Sequence, residues 1–497
     1  MMILFLFLLL SPIGSGWTVL FDKPTKVDLS RAYQLIENLP KGDPWLKNPE
    51  GSTLAWGESY TLGALMDLYE TTHDRHLLNL LAQRGLQLIA HRDDRRGVTD
   101  GSGQSRPAWS VGSKYVVAQG EIKDRNGKTI LLVRSTPSAY NNLTEVEILP
   151  MLENRYAIRV SNEHHQRFEF FENLSLDQND ERYLPTVVND PMAPYSTRRG
   201  NYTGPSNLIR IEFAGQGFIP AQKIRLEPIP LAFAGYLGVI YDPLIRFAEI
   251  VKNDRELTEW LPVANQFIQA AEESYEDVGK RLWRETPGID EGFYLMCEKG
   301  ESMPADNVGQ PFNYLARHVC VQLALYRLTG KTEYLNRSRK MVNLFKNRLI
   351  LDIEKDLYVW NYWYEPMTTV GWKPEDEISF NVKYYPGKAR IEDVSHGGHD
   401  IAMVVEAFKM GVGFDSTDVR RFANTFLNNV LSPDRRDIAR LVDGTGTYPA
   451  YFRSVYQWFA LGEIYPEVIH AGKEIYENRP EESLPFTARL LKYSGRR

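Results

Sequence analysis

The sequence predicts a mainly α protein: an α/α toroid of about six helical hairpins, interrupted once by a β-rich module. Three observations carry this. Helix–turn–helix patterns of similar length recur along the chain. One interval, 111–227, loses the helical period and alternates instead. The composition, 43% hydrophobic and 25% charged over 497 residues, suffices for one large repeat domain with an insertion.

Residues 1–16, MMILFLFLLLSPIGSG, join an apolar run of about ten residues to Ser, Pro and small residues. This reads as a secretory signal peptide, too short to span a bilayer and lacking a basic start. A secreted or periplasmic protein without a stable membrane span is expected. Residues 17–110 form the first part of the helical ring, with one helix over Asp28–Leu39 and the first full hairpin over Gly57–Asp94. There, apolar residues at Tyr60, Leu62, Leu65, Met66 and Tyr69 precede the polar break ETTHDR, and Leu77, Leu78, Leu81, Leu86 and Ile89 follow it.

The interval 111–227 is the inserted β-rich module. Alternating runs at Lys114–Val117, Thr129–Arg134, Tyr156–Val160 and Phe168–Phe171 are punctuated by Gly, Asn, Asp and Pro. Residues 228–497 resume the helical pattern. Hairpins follow over Phe233–Tyr275, Pro311–Leu349 and His399–Leu431, and a weaker one starts at Tyr451; Gly330, Gly411 and Gly413 stand at C-cap positions. One amphipathic hairpin cannot bury both its apolar faces alone, so such units must stack or close. Closure is preferred to an open solenoid because long, aromatic-rich loops separate the hairpins and would gather at one rim.

A net charge of −6 argues against a nucleic-acid partner. It leaves room for an acidic polysaccharide, since a local group of Arg and Lys binds carboxylates within an acidic protein. Two cysteines, Cys297 and Cys320, are too few for a disulfide framework and leave one bridge or two buried thiols open. No phosphate loop, nucleotide fingerprint or HExxH motif occurs, so no cofactor and no metal are expected.

Four polar and aromatic clusters lie at or just before the first helix of a hairpin. LAWGESY offers Trp56, Glu58 and Tyr60; a first-turn Glu also simply suits the helix dipole. DNVGQPFNYLARH offers Asn313, Tyr314 and Arg317, with His318 four residues after Tyr314. Polar groups at such spacing are costly to bury unless they are paired or serve a ligand. YVWNYWY carries Trp360, Tyr362 and Trp363, either as a strand buried on both faces or as rings that stack on sugars. RIEDVSHGGHD packs Arg390, Glu392, Asp393, Ser395, His396, His399 and Asp400 into one loop-to-helix junction, where Asp393 or Ser395 also has the role of N-cap to fill.

On WGESY, PFNYLARH, VWNYW and EDVSHGGHD, together with the hairpin repeat, the chain resembles the carbohydrate-active α/α-toroid superfamily, which holds polysaccharide lyases, uronyl epimerases and glycoside hydrolases. The resemblance implies an exported enzyme acting on a uronate-containing polysaccharide by proton abstraction, as a β-elimination lyase or 5-epimerase. His396, His399, Tyr314, Asn313 and Arg390 are then the candidates for base, acid and carboxylate neutraliser, and a neutral His is a competent base near pH 7. Trp56, Tyr60, Trp360, Tyr362, Trp363 and Arg317 would bind substrate. Two alternatives stand beside this: a glycoside hydrolase pairing Glu58 with Asp393 or Glu392, and a non-catalytic glycan-binding or assembly protein. Within the insertion, STPSAYNNLTEVEI, NRYAIRVSN and FEFFENLSLDQNDERYLPTVVND resemble a domain of contractile-tail sheath proteins, which implies a compact β fold there.

Overall fold

The structure, a computed structural model, describes residues 28–46, 50–137, 139–189, 205–303, 305–479 and 483–494. The expected signal segment, 1–16, lies outside these.

Among the described residues, five hairpins follow one another along the chain. Ser59–Thr72 turns into Arg75–Ala90, Leu237–Asn253 into Leu261–Arg281, and Phe312–Thr329 into Thr332–Lys346. Val394–Lys409 then turns into Ser416–Asn424, and the 3-10 helix Pro449–Glu463 into Glu467–Asn478. The turns are built as their residues dictate. Asp74 accepts a hydrogen bond from the His76 amide, and Asp415 and Asp418 form a reciprocal capping box. Gly330 closes its helix in the left-handed region at φ 71°, where a side chain would be strained.

The first helix of each hairpin packs on the first helix of the next, and Leu484–Ser494 packs on both Pro449–Glu463 and Ser59–Thr72, so the order of contacts closes on itself. The sixth pair comes from the two ends of the chain: Leu29–Glu37, capped by Asp28, lies against Leu484–Ser494. The inner helices share one apolar core, in which Leu65, Ile240, Leu323, Val404 and Phe459 are buried completely. Close approach is set by small residues. A Cβ on Gly238 would lie 2.5 Å from the Arg317 carbonyl carbon, so the backbones of Leu237–Asn253 and Phe312–Thr329 nearly touch there.

The β module occupies Ala118–Pro228. One antiparallel sheet runs Ile209–Phe213, Thr129–Ser135, Ala118–Lys123, Glu227–Pro228, and the other Arg167–Leu174, Tyr156–Asn162, Thr144–Pro150, Gln222–Arg225. The two share a core of their own, around Ile130, Val146, Ile158 and Phe171. The expected strand at Lys114–Val117 is instead a turn. Lys114 lies over the rings of Tyr115 and Tyr140, and the Val117 amide donates to the Ser302 carbonyl of the helical part rather than to a ladder. Thr144–Pro150, Ile209–Phe213 and Gln222–Arg225 were not anticipated as strands. The likeness to a sheath domain stays one of sequence.

Cys297 and Cys320 are free and buried, and burial pushes both thiols up. Among the described residues no helix is long and apolar enough to cross a membrane.

Candidate functional site

The polar and aromatic clusters are brought together by the starts of the inner helices. Trp56 sits on the π-helical turn Leu54–Glu58, and Tyr60 on the first turn of Ser59–Thr72. Tyr314 and Arg317 lie on the first two turns of Phe312–Thr329, and His396 and His399 on those of Val394–Lys409. The Trp56 ring lies 5.8 Å from Tyr314 and 5.6 Å from His399, centroid to centroid. Three inner helices thus meet through these side chains at one rim.

His399 is buried and held from both sides. Arg317 Nε donates to its Nδ1 at 2.5 Å, and its Nε2 faces the Tyr60 hydroxyl at 3.2 Å. An arginine only donates, so Nδ1 is the acceptor and the ring proton sits on Nε2. Burial, then the charge of Arg317 and the neighbouring His396, hold this imidazole well below the ordinary histidine range. His399 is therefore a neutral hydrogen-bond donor toward Tyr60, and the role of base expected for it does not suit this tautomer.

His396 is oriented differently. Asp393 caps the helix, its Oδ1 accepting from the His396 amide at 2.9 Å, while its Oδ2 lies 2.8 Å from His396 Nδ1 and accepts from the Tyr451 hydroxyl at 3.1 Å. The approach is an ion-pair distance without hydrogen-bond alignment, since Nδ1 meets no hydrogen-bond partner among the described residues; the nearby carboxylate still favours the ring proton on Nδ1 and leaves Nε2 as the basic nitrogen. The ring leans on Tyr362 at 5.2 Å, and the Arg390 guanidinium lies over the Tyr362 ring at 5.1 Å.

Two more acids are buried behind this pair. Glu392 Oε1 accepts from the Asp393 amide, and Asp400 Oδ2 accepts from Trp360 Nε1 at 2.8 Å. The second oxygen of each accepts no hydrogen bond among the described residues. Burial, joined by Asp400 and Asp393, pushes the Glu392 carboxyl well above the usual carboxylate range; burial and Asp393 do the same to Asp400 against the pull of the Trp360 hydrogen bond. Burial would also raise Asp393, but His396 beside it holds it below that range. Glu392, Asp393 and His396 each bring one ligand-type atom within 4.8 Å of the others, so these are the side chains that would hold a cation here. Tyr60, Tyr314, Tyr362 and Tyr451 are all raised by burial and stay protonated.

Other expected members stand apart. Glu58 is held by Arg84 through two hydrogen bonds, at 2.5 and 2.7 Å, with both side chains buried; its carboxylate serves the packing of the first hairpin. Trp360 is fully buried among Phe345, Phe422 and Trp458. Trp363 is buried and donates to the Gly309 carbonyl. Of YVWNYWY, only Tyr362 reaches His396. Asn313 is buried, and its amide oxygen accepts no hydrogen bond among the described residues. His318 is a core residue, tied to Tyr275 and Gln310.

Sequence reasoning passed over Tyr236, edge-on to Trp56 at 6.2 Å, and Gln457, whose Oε1 accepts from Arg317 at 3.4 Å. It used Tyr451 only to mark a hairpin. A usable signal was present: a Tyr, Phe, Trp or His ring at the start of each inner helix among the described residues. Behind Arg317, toward the C-terminal ends of the inner helices, lies a cavity of about 290 Å³. Its charges are largely paired, Arg246 with Asp67 and Glu70, Arg327 with Glu249 and Glu406.

No family model and no curated protein matches this chain. Among solved structures, it is similar to a glycoside hydrolase family 76 mannosidase from Bacteroides thetaiotaomicron VPI-5482. The TM-score is 0.34 at 13% identity, over 52% of this chain and 69% of that one. It is also similar to a family 76 glycoside hydrolase from a bovine Bacteroides thetaiotaomicron strain, with TM-score 0.33 at 11% identity, over 76% of this chain and 98% of that one. Similarity at this level leaves the functional reading to the geometry of the rim.

Proposed function

We propose that the closed order of helices is an α/α toroid and that its rim is the active site of a carbohydrate-active enzyme that breaks glycosidic bonds in a polysaccharide. The observation that carries this is the meeting, at the starts of the inner helices, of flat rings with an oriented proton-transfer pair. Trp56 and Tyr60, both partly exposed, offer faces on which a sugar ring stacks, with the buried Tyr314 backing Trp56. Asp393 and His396 offer an imidazole with a carboxylate 2.8 Å from its Nδ1, the pairing that general-base catalysis uses.

On a uronate substrate this pair acts by elimination. His396 Nε2 takes the proton beside the carboxylate, the released electron pair forms the carbon–carbon double bond, and the 4-linked oxygen leaves with a proton from Tyr314 or Tyr362. Arg390 neutralises the substrate carboxylate. Return of the proton to the opposite face would give epimerisation. Hydrolysis is the second reading, favoured by Glu392 and Asp393. Each brings a carboxylate oxygen to one buried group whose members lie within 4.8 Å of one another, and a close pair of carboxyls is what retention of configuration requires. Glu58 takes no part in that pair, because Arg84 holds it. The apolar N-terminal segment supports action outside the cytosol.

The test is incubation with oligouronates and with neutral glycans, following both ultraviolet absorbance of unsaturated uronate and new reducing ends. Absorbance supports elimination; reducing ends without it support hydrolysis. Neither signal, and no exchange of the C5 hydrogen with solvent deuterium, from any glycan that the protein binds would refute the enzyme reading and leave a binding protein.

A further inference from the structure

Where the β module meets the helical ring, cations gather around one aromatic ring. Arg134 and Arg210 stand directly opposite each other on neighbouring strands, an arrangement that opposes sheet pairing. Both guanidiniums lie over Phe380, at 5.2 and 4.8 Å from its centroid, and Lys383 Nζ lies 4.8 Å from the same ring. An open cavity of about 510 Å³ is lined by Arg210, Lys299, Glu377, Phe380 and Lys383 among others.

The acids nearby are already engaged. Asp306 accepts hydrogen bonds from the Gly300, Phe380 and Asn381 amides and from the Ser379 hydroxyl. Glu212 lies 3.4 Å from Arg210, and Glu377 lies 3.7 Å from Lys299. Lys383 has no carboxylate and no hydrogen-bond partner among the described residues. Burial, and then Arg210 and Lys299, make its ammonium easier to deprotonate than usual, as expected for a cation facing others. Arg210 and Lys299 each keep one carboxylate within reach while Lys383 keeps none, and this cationic group around an open cavity and a half-buried ring fits an anion carried on a sugar. Phe380 and Lys383 lie on the segment that leaves the rim at Tyr362 and returns to it at Arg390, so the cavity is linked to the rim through the chain.

We infer that this junction is an anion subsite that takes a carboxylate or sulfate group of an acidic polysaccharide, with Arg210, Lys299 and Lys383 meeting the anion and Phe380 the sugar face. The inference rests on the glycan reading of the rim and adds which glycans the protein takes. Lys383→Glu is the cleanest probe, because Lys383 bridges no elements. Calorimetric titration of the full chain with an oligogalacturonate, a sulfated oligosaccharide and a neutral cello-oligosaccharide of equal length separates the sources. One of the two anionic probes should bind tightest, weaken as salt rises, and lose at least tenfold in affinity in Lys383→Glu and in Phe380→Ala. Equal binding of the neutral probe, or unchanged affinity for both anionic probes in Lys383→Glu, would overturn the subsite. If cleavage persists in that case, the rim reading stands without it. If Lys383→Glu weakens binding but no bound glycan is ever cleaved, the subsite stands and the rim reading falls.

Discussion

His318 offers a direct measure of how the inner ring holds its polar groups. It is fully buried, its Nδ1 2.9 Å from the Tyr275 hydroxyl and its Nε2 3.1 Å from Gln310 Oε1. Burial lowers its pKa from the ordinary 6.5 to about 3. In the unfolded chain it would take up a proton below pH 6.5, while the folded protein refuses that proton until about pH 3. The unfolded state therefore binds more protons across this window, and folding stability falls as pH drops through it. Each pH unit below 6.5 removes about 1.4 kcal/mol, or roughly 3 kcal/mol by pH 4, before other groups are counted. His318→Gln keeps an amide to pair with Tyr275 or Gln310 and cannot titrate. Urea unfolding of parent and variant between pH 4 and 8 isolates the term. The variant should be less stable at pH 7 and should lose less on acidification, so the two stability curves converge toward pH 4. Parallel curves would show that the buried imidazole does not set the acid limit, and the account of its burial would fail.

Breaking the buried Glu58–Arg84 pair with Glu58→Ala should cost about 3–5 kcal/mol of stability, because Arg84 is left buried and uncompensated. The double change Glu58→Met with Arg84→Leu should recover most of it and, by thermal melts and product assays, keep whatever turnover the parent has. At the rim, His396→Ala should lower turnover at least 100-fold while shifting the melting temperature little, whereas Tyr60→Phe, which removes only an acceptor for His399, should lower it less than tenfold; single-turnover assays rank the two. Gly238→Ala places a methyl group 2.5 Å from the backbone of Arg317. It should cost about 1–3 kcal/mol by forcing two inner helices apart, and it should lower activity through Arg317 and His399 as well.

Much of the architecture is legible in the chain because helical hairpins are local. The apolar spacing of Leu62, Leu65, Met66 and Tyr69, the Asp caps and the C-terminal glycines all act within a few turns, and the β insertion is marked by loss of that period. The strand Thr144–Pro150 and the turn at Lys114–Val117 escaped because β pairing and the docking of Val117 onto Ser302 join residues far apart in sequence. Closure also rests on distant partners: the last inner helix, Leu484–Ser494, takes its outer mate from Leu29–Glu37.

The clusters at the helix starts follow the same division. Sequence alone determined which residue types stand there, because each cluster is a run of neighbours: Trp56 to Tyr60, Asn313 to Arg317, Arg390 to Asp400. Only the tertiary structure decided which of them act together. It gave Glu58 to Arg84 and Trp360 to the core, set Arg317 against His399 Nδ1, and set Asp393 against His396. The physical reason is that the work of an ionisable side chain is fixed by its burial and by the partner within hydrogen-bond reach. At this rim several of those partners, such as Arg317 and Tyr60 on His399, come from other helices, more than eighty residues away along the chain.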